Sequence, residues 1–211
     1  MMARNTYTYL PKNLKVGPTG FFLPLSNSCF KSLSKLMIWA RIDTSKALIG
    51  SSHIINGNDP YYPEFWEGKS IKEAVMSYFE AILRNVTTYE NYDVYGHLDY
   101  INRYSHYEDN SLEYKDYSDI IDEILKVLVS KGKGLDINTS GYRYGLGRTN
   151  PQLDIVKRFK ELGGEIVTVG SDAHKPEDVG AYFAEAYAML KEAGFKYTAS
   201  FRNKKATMVK L

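Results

Sequence analysis

Histidine is scarce in this 211-residue chain: there are four, and none precedes residue 53. Cysteine is scarcer still. Cys29 stands alone, so no internal disulfide can form and a small disulfide-stapled scaffold is excluded. A single thiol suits a reducing cytoplasm, which is the compartment expected here. No apolar run approaches the ~20 residues that a membrane span requires, so no membrane partner is expected. Acid is nearly missing from the start of the chain. Residues 1–45 hold Asp43 as their one acid against six Lys/Arg, a net of +5, whereas the remainder carries −3 and the whole only +2. That basic start lacks the aromatic–basic alternation of a nucleic-acid arm. Pro11, Pro18 and Pro24, with Gly17 and Gly20, also interrupt any amphipathic targeting helix.

What is present describes an ordinary globular protein. Apolar residues make up 44% and charged residues 25%, which excludes disordered and collagen-like chains, and the length fits one large domain or at most two small ones. From residue 46 the pattern becomes regular. Ala47 to Ser52 is a short apolar run ending in small residues, as in a buried strand. A loop punctuated by Asn56-Gly57-Asn58-Asp59-Pro60 and Pro63 follows, and Ser70 then caps a helix with Glu73 three positions on. Tyr92 to His97 is a second strand, Ser118 to Lys131 a second helix and Leu135 to Asn138 a third strand. After a glycine-rich loop over Gly141–Gly147, Pro151 starts a helix that ends at Gly163-Gly164. Ile166 to Val169 forms another strand, Pro176 opens a helix reaching Ala193, and Thr207 to Lys210 closes the chain as a last strand. Alternating strands and helices predict an α/β fold with parallel strands, either an open doubly wound sheet or a barrel. In both, chemistry sits at the carboxyl ends of the strands.

Three of the four histidines lie there. His53 follows Ile49-Gly-Ser-Ser, His97 follows Val94-Tyr-Gly, and His174 follows Val169-Gly-Ser-Asp-Ala; His106 lies in a loop. One histidine at a strand end is commonly a packed core residue. Three together point to a metal, since imidazole suits Zn, Fe and Mn and the carboxylate of Asp172 suits Mn. Asp99, two residues after His97, is a candidate to fix the His97 tautomer, and equally a loop cap. Arg103, Arg143 and Arg148 lie near the same strand ends, and the planar guanidinium fork matches phosphate oxygens. Metal ligands beside arginines predict a small-molecule phosphate ester as substrate.

The ordered blocks Ile49-Gly-Ser-Ser-His53, Asn56-Gly-Asn-Asp-Pro-Tyr-Tyr-Pro-Glu-Phe-Trp66, Asp93-Val-Tyr-Gly-His-Leu-Asp99, Asp136-Ile-Asn-Thr-Ser-Gly141 and Gly170-Ser-Asp-Ala-His174 resemble the histidinol-phosphatase branch of the PHP (polymerase and histidinol phosphatase) family. The resemblance runs from about residue 46 to 211. It implies a distorted (β/α)7 TIM-like barrel that holds up to three divalent ions (Zn, Mn or Fe) and hydrolyses L-histidinol phosphate to L-histidinol and phosphate in histidine biosynthesis. It also implies that His53, His97, Asp172 and His174 are metal ligands, and that Arg103 and Arg143 bind phosphate. Asp172 or His174 is further implicated in proton transfer to the leaving alkoxide.

The family's opening motifs have no counterpart here. Its His-x-His strand, Thr-Asp-His block and later glutamate all supply metal ligands, and the Lys15–Gly20 stretch sits where the glutamate strand would lie, without its Glu. The expected organisation is therefore an atypical segment over residues 1–45 and a barrel domain over 46–211 that lacks the first βα units. Exposed strand edges would then be covered by self-association into an oligomer or by a repaired sheet. The alternative to an enzyme is a remnant with partial or no metal binding. A phosphoesterase acting on nucleic acid is opposed by the net −3 of residues 46–211.

Overall fold

The computed structural model describes residues 21–22, 35–40, 47–105 and 112–211, the first two stretches by backbone alone. His106, the Lys15–Gly20 stretch and most of the basic start lie outside the described residues. Six strands form one sheet in sequential order: β1 (Phe21–Phe22), β2 (Lys35–Ala40), β3 (Ile49–Ile54), β4 (Val94–Gly96), β5 (Gly134–Asn138) and β6 (Val167–Gly170). From β3 to β6 all pairings are parallel, with Gly50 opposite Tyr95, Gly96 opposite Asp136, and Asp136 opposite Thr168. The crossovers are α1 (Ile71–Thr88), α2 (Ser118–Ser130) and, after the short α3 (Ser140–Arg143), α4 (Leu153–Glu161). Then come α5 (Phe183–Glu192) and a separate hairpin of β7 (Tyr197–Arg202) and β8 (Lys205–Lys210).

The sequence accounts for most of this locally. At Ser70 both arms of a capping box are made, so the orphan amides at the α1 start are satisfied by the Ser70 and Glu73 side chains. The apolar stripes of the helices bury Val75, Phe79 and Ile82 from α1, Ile124 and Leu128 from α2, and Ile155 and Phe159 from α4, against Tyr95, Leu135, Ile137 and Val167 of the strands. The strand period of two then assigns the faces. Ser52 bonds Asn85 of α1 and Tyr95, so it points to the helices, and its neighbours Ser51 and His53 point the other way. Likewise Leu135 and Ile137 join the helix-side core, which turns Asp136 and Asn138 to the opposite face. That second face is small and polar.

Three expectations change, and of the two ways expected to cover a strand edge the structure shows a repaired sheet at β3. Residues 35–40 form a strand that pairs antiparallel with β3, so the outer edge of β3 is covered by chain from the basic start. The glycine-rich stretch after β5 begins as α3 before it loosens. Pro176 starts only a 3-10 turn, Pro176–Asp178; Gly180 and Tyr182 then adopt left-handed backbone, and a helix resumes only at Phe183. Tyr197–Arg202 is a strand, because Thr207–Lys210 needs a partner and Asn203 and Lys204 turn the chain back with positive φ. Among the described residues the sheet is open: β6 meets the hairpin through the Thr198 hydroxyl, which donates to the Val167 carbonyl, and the described strands do not close into a barrel.

Candidate active site

The second face of the sheet collects the candidate residues at its carboxyl edge. His53 sits in β3, and its Nε2 is 3.0 Å from the Ser51 hydroxyl two residues back on the same face. His97 follows β4 directly, where the backbone turns with φ 33°. Such a conformation is costly for a residue with a side chain and is kept where the surroundings enforce it. The two imidazoles meet edge to face, 5.0 Å between ring centres. Tyr100 closes over both, its ring 5.1 Å from His53 and 4.8 Å from His97.

Burial governs their protonation. Desolvation, reinforced by the Arg103 charge, lowers the His53 pKa to about 4. Desolvation, followed by the neighbouring His53, lowers that of His97 to about 3. Both rings are therefore neutral at pH 7, the state in which imidazole ligates metal. His97 Nδ1 is buried and has no hydrogen-bond partner, an unused nitrogen that a protein interior rarely leaves idle. A pair of neutral imidazoles fits two ligands of a divalent ion. Among the described residues, however, no three His, Cys, Asp or Glu side chains converge to hold one.

Asp172 and His174 form a second pair after β6. Their side chains are exposed, and His174 Nε2 lies 3.5 Å from Asp172 Oδ1. Asp172 also has left-handed backbone, φ 50°. Its carbonyl accepts from Arg143 Nη2 at 3.0 Å, which ties the loop after β6 to α3. Arg143 Nε is 3.6 Å from Asp178 Oδ2, while its buried Nη1 has no partner. Arg103 lies on the Tyr144 ring, 3.0 Å from its centre, and 5.2 Å from the centre of Tyr104. The two arginines thus attach to different places: Arg103 to the Tyr144 ring, with its charge felt at both imidazoles, and Arg143 to the Asp172 loop.

Of the two roles open to Asp99, the structure shows the cap and not the tautomer partner. Its buried carboxylate accepts from the Gln152 backbone N–H at 3.0 Å and faces Arg148 Nη1 at 3.9 Å, with no hydrogen bond to His97. The chain enters a 3-10 turn at Tyr100–Tyr104 directly after Asp99, and the carboxylate anchors the start of α4 instead. Desolvation raises its pKa to about 6 against the pull of Arg148. Sequence reasoning also passed over Asp136 and Tyr100 as site residues. Asp136 is buried on the polar face, accepts from the Thr168 hydroxyl at 2.6 Å, and is raised to about 6 by burial and then by nearby Asp172. Its signal was available: in Leu135-Asp136-Ile137-Asn138 the polar residues alternate with core residues.

Known proteins resemble this chain in sequence and in fold. A family model described as "PHP domain" matches residues 22–140. The chain is 36% identical over 155 residues to a probable histidinol-phosphatase of Clostridium acetobutylicum, covering 71% of this chain and 58% of that protein. It is 35% identical over 164 residues to a histidinol-phosphatase of Lactococcus lactis subsp. lactis, covering 75% and 59%. The chain thus spans somewhat under three-fifths of the length of these curated relatives. Among solved structures, histidinol phosphate phosphatase from Lactococcus lactis, complexed with Zn, L-histidinol and phosphate, superposes with a TM-score of 0.66 at 33% identity, over 77% of this chain and 62% of that one. A histidinol phosphatase described as putative, from Listeria monocytogenes, shares the fold at 21% identity and a TM-score of 0.51, over 64% and 52%.

Proposed function

We propose, from the premise that this chain belongs to the PHP family, that it is a metal-dependent phosphomonoesterase which hydrolyses L-histidinol phosphate to L-histidinol and phosphate. The observation that carries this reading is the pair of neutral, touching imidazoles His53 and His97 on the polar face, with Arg103 acting on both. In this reading the four strands β3–β6 are part of a distorted (β/α)7 barrel, and the reaction serves histidine biosynthesis in the cytoplasm.

His53 and His97 would hold one divalent ion, Zn, Mn or Fe, and Asp172 with His174 would contribute from the next strand end. Bound there, such an ion polarises phosphoryl oxygens as a Lewis acid. The chain's own groups supply the rest. Arg103 is held flat by Tyr144, which presents its guanidinium edge to an anion at little entropic cost. The unpartnered Nη1 of Arg143 has a donor to spare for a second phosphate oxygen. As charge grows on the phosphoryl group, both cations oppose it without rearranging. Hydrolysis adds a water oxygen to phosphorus as the ester P–O bond breaks, and the departing alkoxide takes up a proton; where His174 is not itself bound to the ion, its Nε2, 3.5 Å from Asp172 Oδ1, can deliver that proton and recover one from solvent.

A second reading has its own support: with no three convergent donors among the described residues, the chain binds metal weakly or not at all and is a non-catalytic remnant. One experiment separates the two. The chain is purified, supplied with Mn or Zn, assayed for phosphate release from L-histidinol phosphate, and its bound metal is counted. Turnover that His97→Ala abolishes supports the enzyme; no release under either metal, with no metal retained, supports the remnant.

A further inference from the structure

Tyr142, Arg143 and Tyr144 are consecutive, and each holds a different part of the site. Arg143 Nη2 donates to the Asp172 carbonyl, and the Tyr144 ring carries Arg103. Tyr142 has no part in the chemistry above. Its ring is stacked on that of Tyr182, 4.9 Å between centres and 15° from parallel. Tyr182 closes the loop after β6; it is 41% exposed, and its backbone is left-handed, with φ 59°. Glycine takes that conformation readily, whereas an aromatic residue is kept in it only where its surroundings enforce it. Two contacts do so here: the ring stack, and the Thr139 hydroxyl, which donates to the carbonyl of the preceding Ala181 at 2.6 Å.

The base beneath this loop is firm. The Thr139 N–H donates to the Gly170 carbonyl at 2.9 Å, the Ser140 N–H donates to Asn138 Oδ1 at 2.8 Å, and Gly141 leaves no room for a Cβ beside the Arg148 carbonyl oxygen. The segment from Asp172 to Tyr182 is therefore docked on Thr139 and α3 at both ends, by Arg143 at its start and by Tyr142 and Thr139 at its close. We propose that Tyr142 and Tyr182 are a positioning pair, whose stack holds this loop on α3 and so sets Asp172 and His174 beside Arg143 in the arrangement that binds an ion and phosphate together. The proposal rests on the phosphatase reading for what Asp172, His174 and Arg143 bind, and on the stack for how they are held.

Tyr182→Gly suits the left-handed backbone and deletes one ring, and Tyr142→Ala deletes the other; Tyr142→Phe and Tyr182→Phe keep the stack. In the full chain without added metal, protection from amide hydrogen exchange over residues 171–182 falls roughly three- to tenfold in Tyr182→Gly and in Tyr142→Ala. The double variant loses no more than either single one, because both remove the same stack, and the two Phe variants match the wild type. The affinity for Mn in the presence of inorganic phosphate, from calorimetric titration of the folded proteins, falls by a similar factor in the same variants, since the ligands must then order the loop themselves. A loss of global stability alone leaves that affinity unmoved. Unchanged protection in Tyr142→Ala, a Phe variant as damaging as loss of its ring, faster exchange with undiminished Mn affinity, or a wild type that binds no Mn overturns the proposal. The two readings fail separately: a looser loop and weaker Mn binding, with no phosphate release from L-histidinol phosphate by the wild type, refute the phosphatase, and phosphate release with a loop indifferent to the stack refutes the positioning pair.

Discussion

Replacing Ser52 by alanine tests how the sheet holds His53. Ser52 is buried beside it in β3, and its hydroxyl is a hub: Asn85 Nδ2 of α1 donates to it at 2.7 Å, and the Tyr95 hydroxyl of β4 lies at 2.7 Å. Three elements meet at one oxygen. Ser52→Ala removes little volume, so the cavity contribution is small; the loss lies in polar groups. The fully buried Tyr95 hydroxyl is stripped of its partner, and the Asn85 amide loses an acceptor. At about 1–3 kcal/mol for each buried group deprived of a partner, the expected cost is about 2–4 kcal/mol. For a chain of this size that lowers Tm by roughly 5–15 °C. Tyr95→Phe leaves no orphaned phenol and costs about 1 kcal/mol. In the double variant the Tyr95 penalty of Ser52→Ala disappears, so the two changes together cost less than their sum by about 1 kcal/mol or more. Urea denaturation of the four proteins measures all of this. A Ser52→Ala cost below about 0.5 kcal/mol, or strict additivity with Tyr95→Phe, refutes the hub.

Other consequences are checked as readily. Gly134 opens β5 where an added Cβ would stand 2.5 Å from the Ile166 carbonyl oxygen and 2.9 Å from Ile166 Cβ, so Gly134→Ala should cost about 1–3 kcal/mol by urea titration, because backbone cannot step aside. The Ser70 amide and hydroxyl hold the Glu73 carboxyl below its ordinary pKa. A lowered native pKa stabilises above the unfolded value and is lost as pH falls through the native one, so the Tm gap between wild type and Glu73→Gln should be full at neutral pH and close in acid. Arg143→Lys replaces a fork by a point charge; the stabilisation of the protein by inorganic phosphate, followed by thermal shift, should weaken roughly tenfold in affinity, whereas Arg148→Lys, whose partner is Asp99, should leave it unchanged.

The elements most legible in the sequence were those written by local rules. The Ser70–Glu73 box, the α2 stripe of Ile121, Ile124, Leu125 and Leu128, and the strand runs at 49–54 and 134–138 lie within a few residues of where periodicity and capping place them. What escaped depends on partners distant in sequence. Tyr197–Arg202 alternates weakly, and its strand exists because Lys205–Lys210 returns beside it. Leu36–Ala40 is an apolar run of strand length that the basic, acid-poor composition around it obscured, and the unpaired amides and carbonyls of the β3 edge give it a template. The two roles open to the Asp99 carboxylate could not be separated for the same reason. Spacing along the chain put it beside His97, but Gln152, fifty-three residues away, offers its backbone N–H to the same oxygen.

The site itself divides along this line. His53 and His97 are brought together by the parallel pairing of β3 with β4 and by the left-handed turn of the backbone at His97, which follows β4 directly. Asp172 and His174 hang on an exposed loop held by polar contacts: Arg143 Nη2 donates to the Asp172 carbonyl and Arg143 Nε faces Asp178, the Thr139 hydroxyl donates to the Ala181 carbonyl at 2.6 Å, and the Gly180 N–H donates to the Ser171 hydroxyl at 3.1 Å. A pair carried next to sheet strands is rigid, and a pair carried on an exposed loop by polar contacts is adjustable. Any ligand that needs both pairs must therefore order the loop after β6 against the histidines, and part of its binding energy goes into that ordering. Arg143 is the residue through which this happens, since the same guanidinium that carries a free Nη1 also carries the Asp172 carbonyl. An anion on Arg143 and a cation on Asp172 should accordingly favour each other's binding, so that phosphate raises the affinity for Zn or Mn and the metal raises that for phosphate by the same factor.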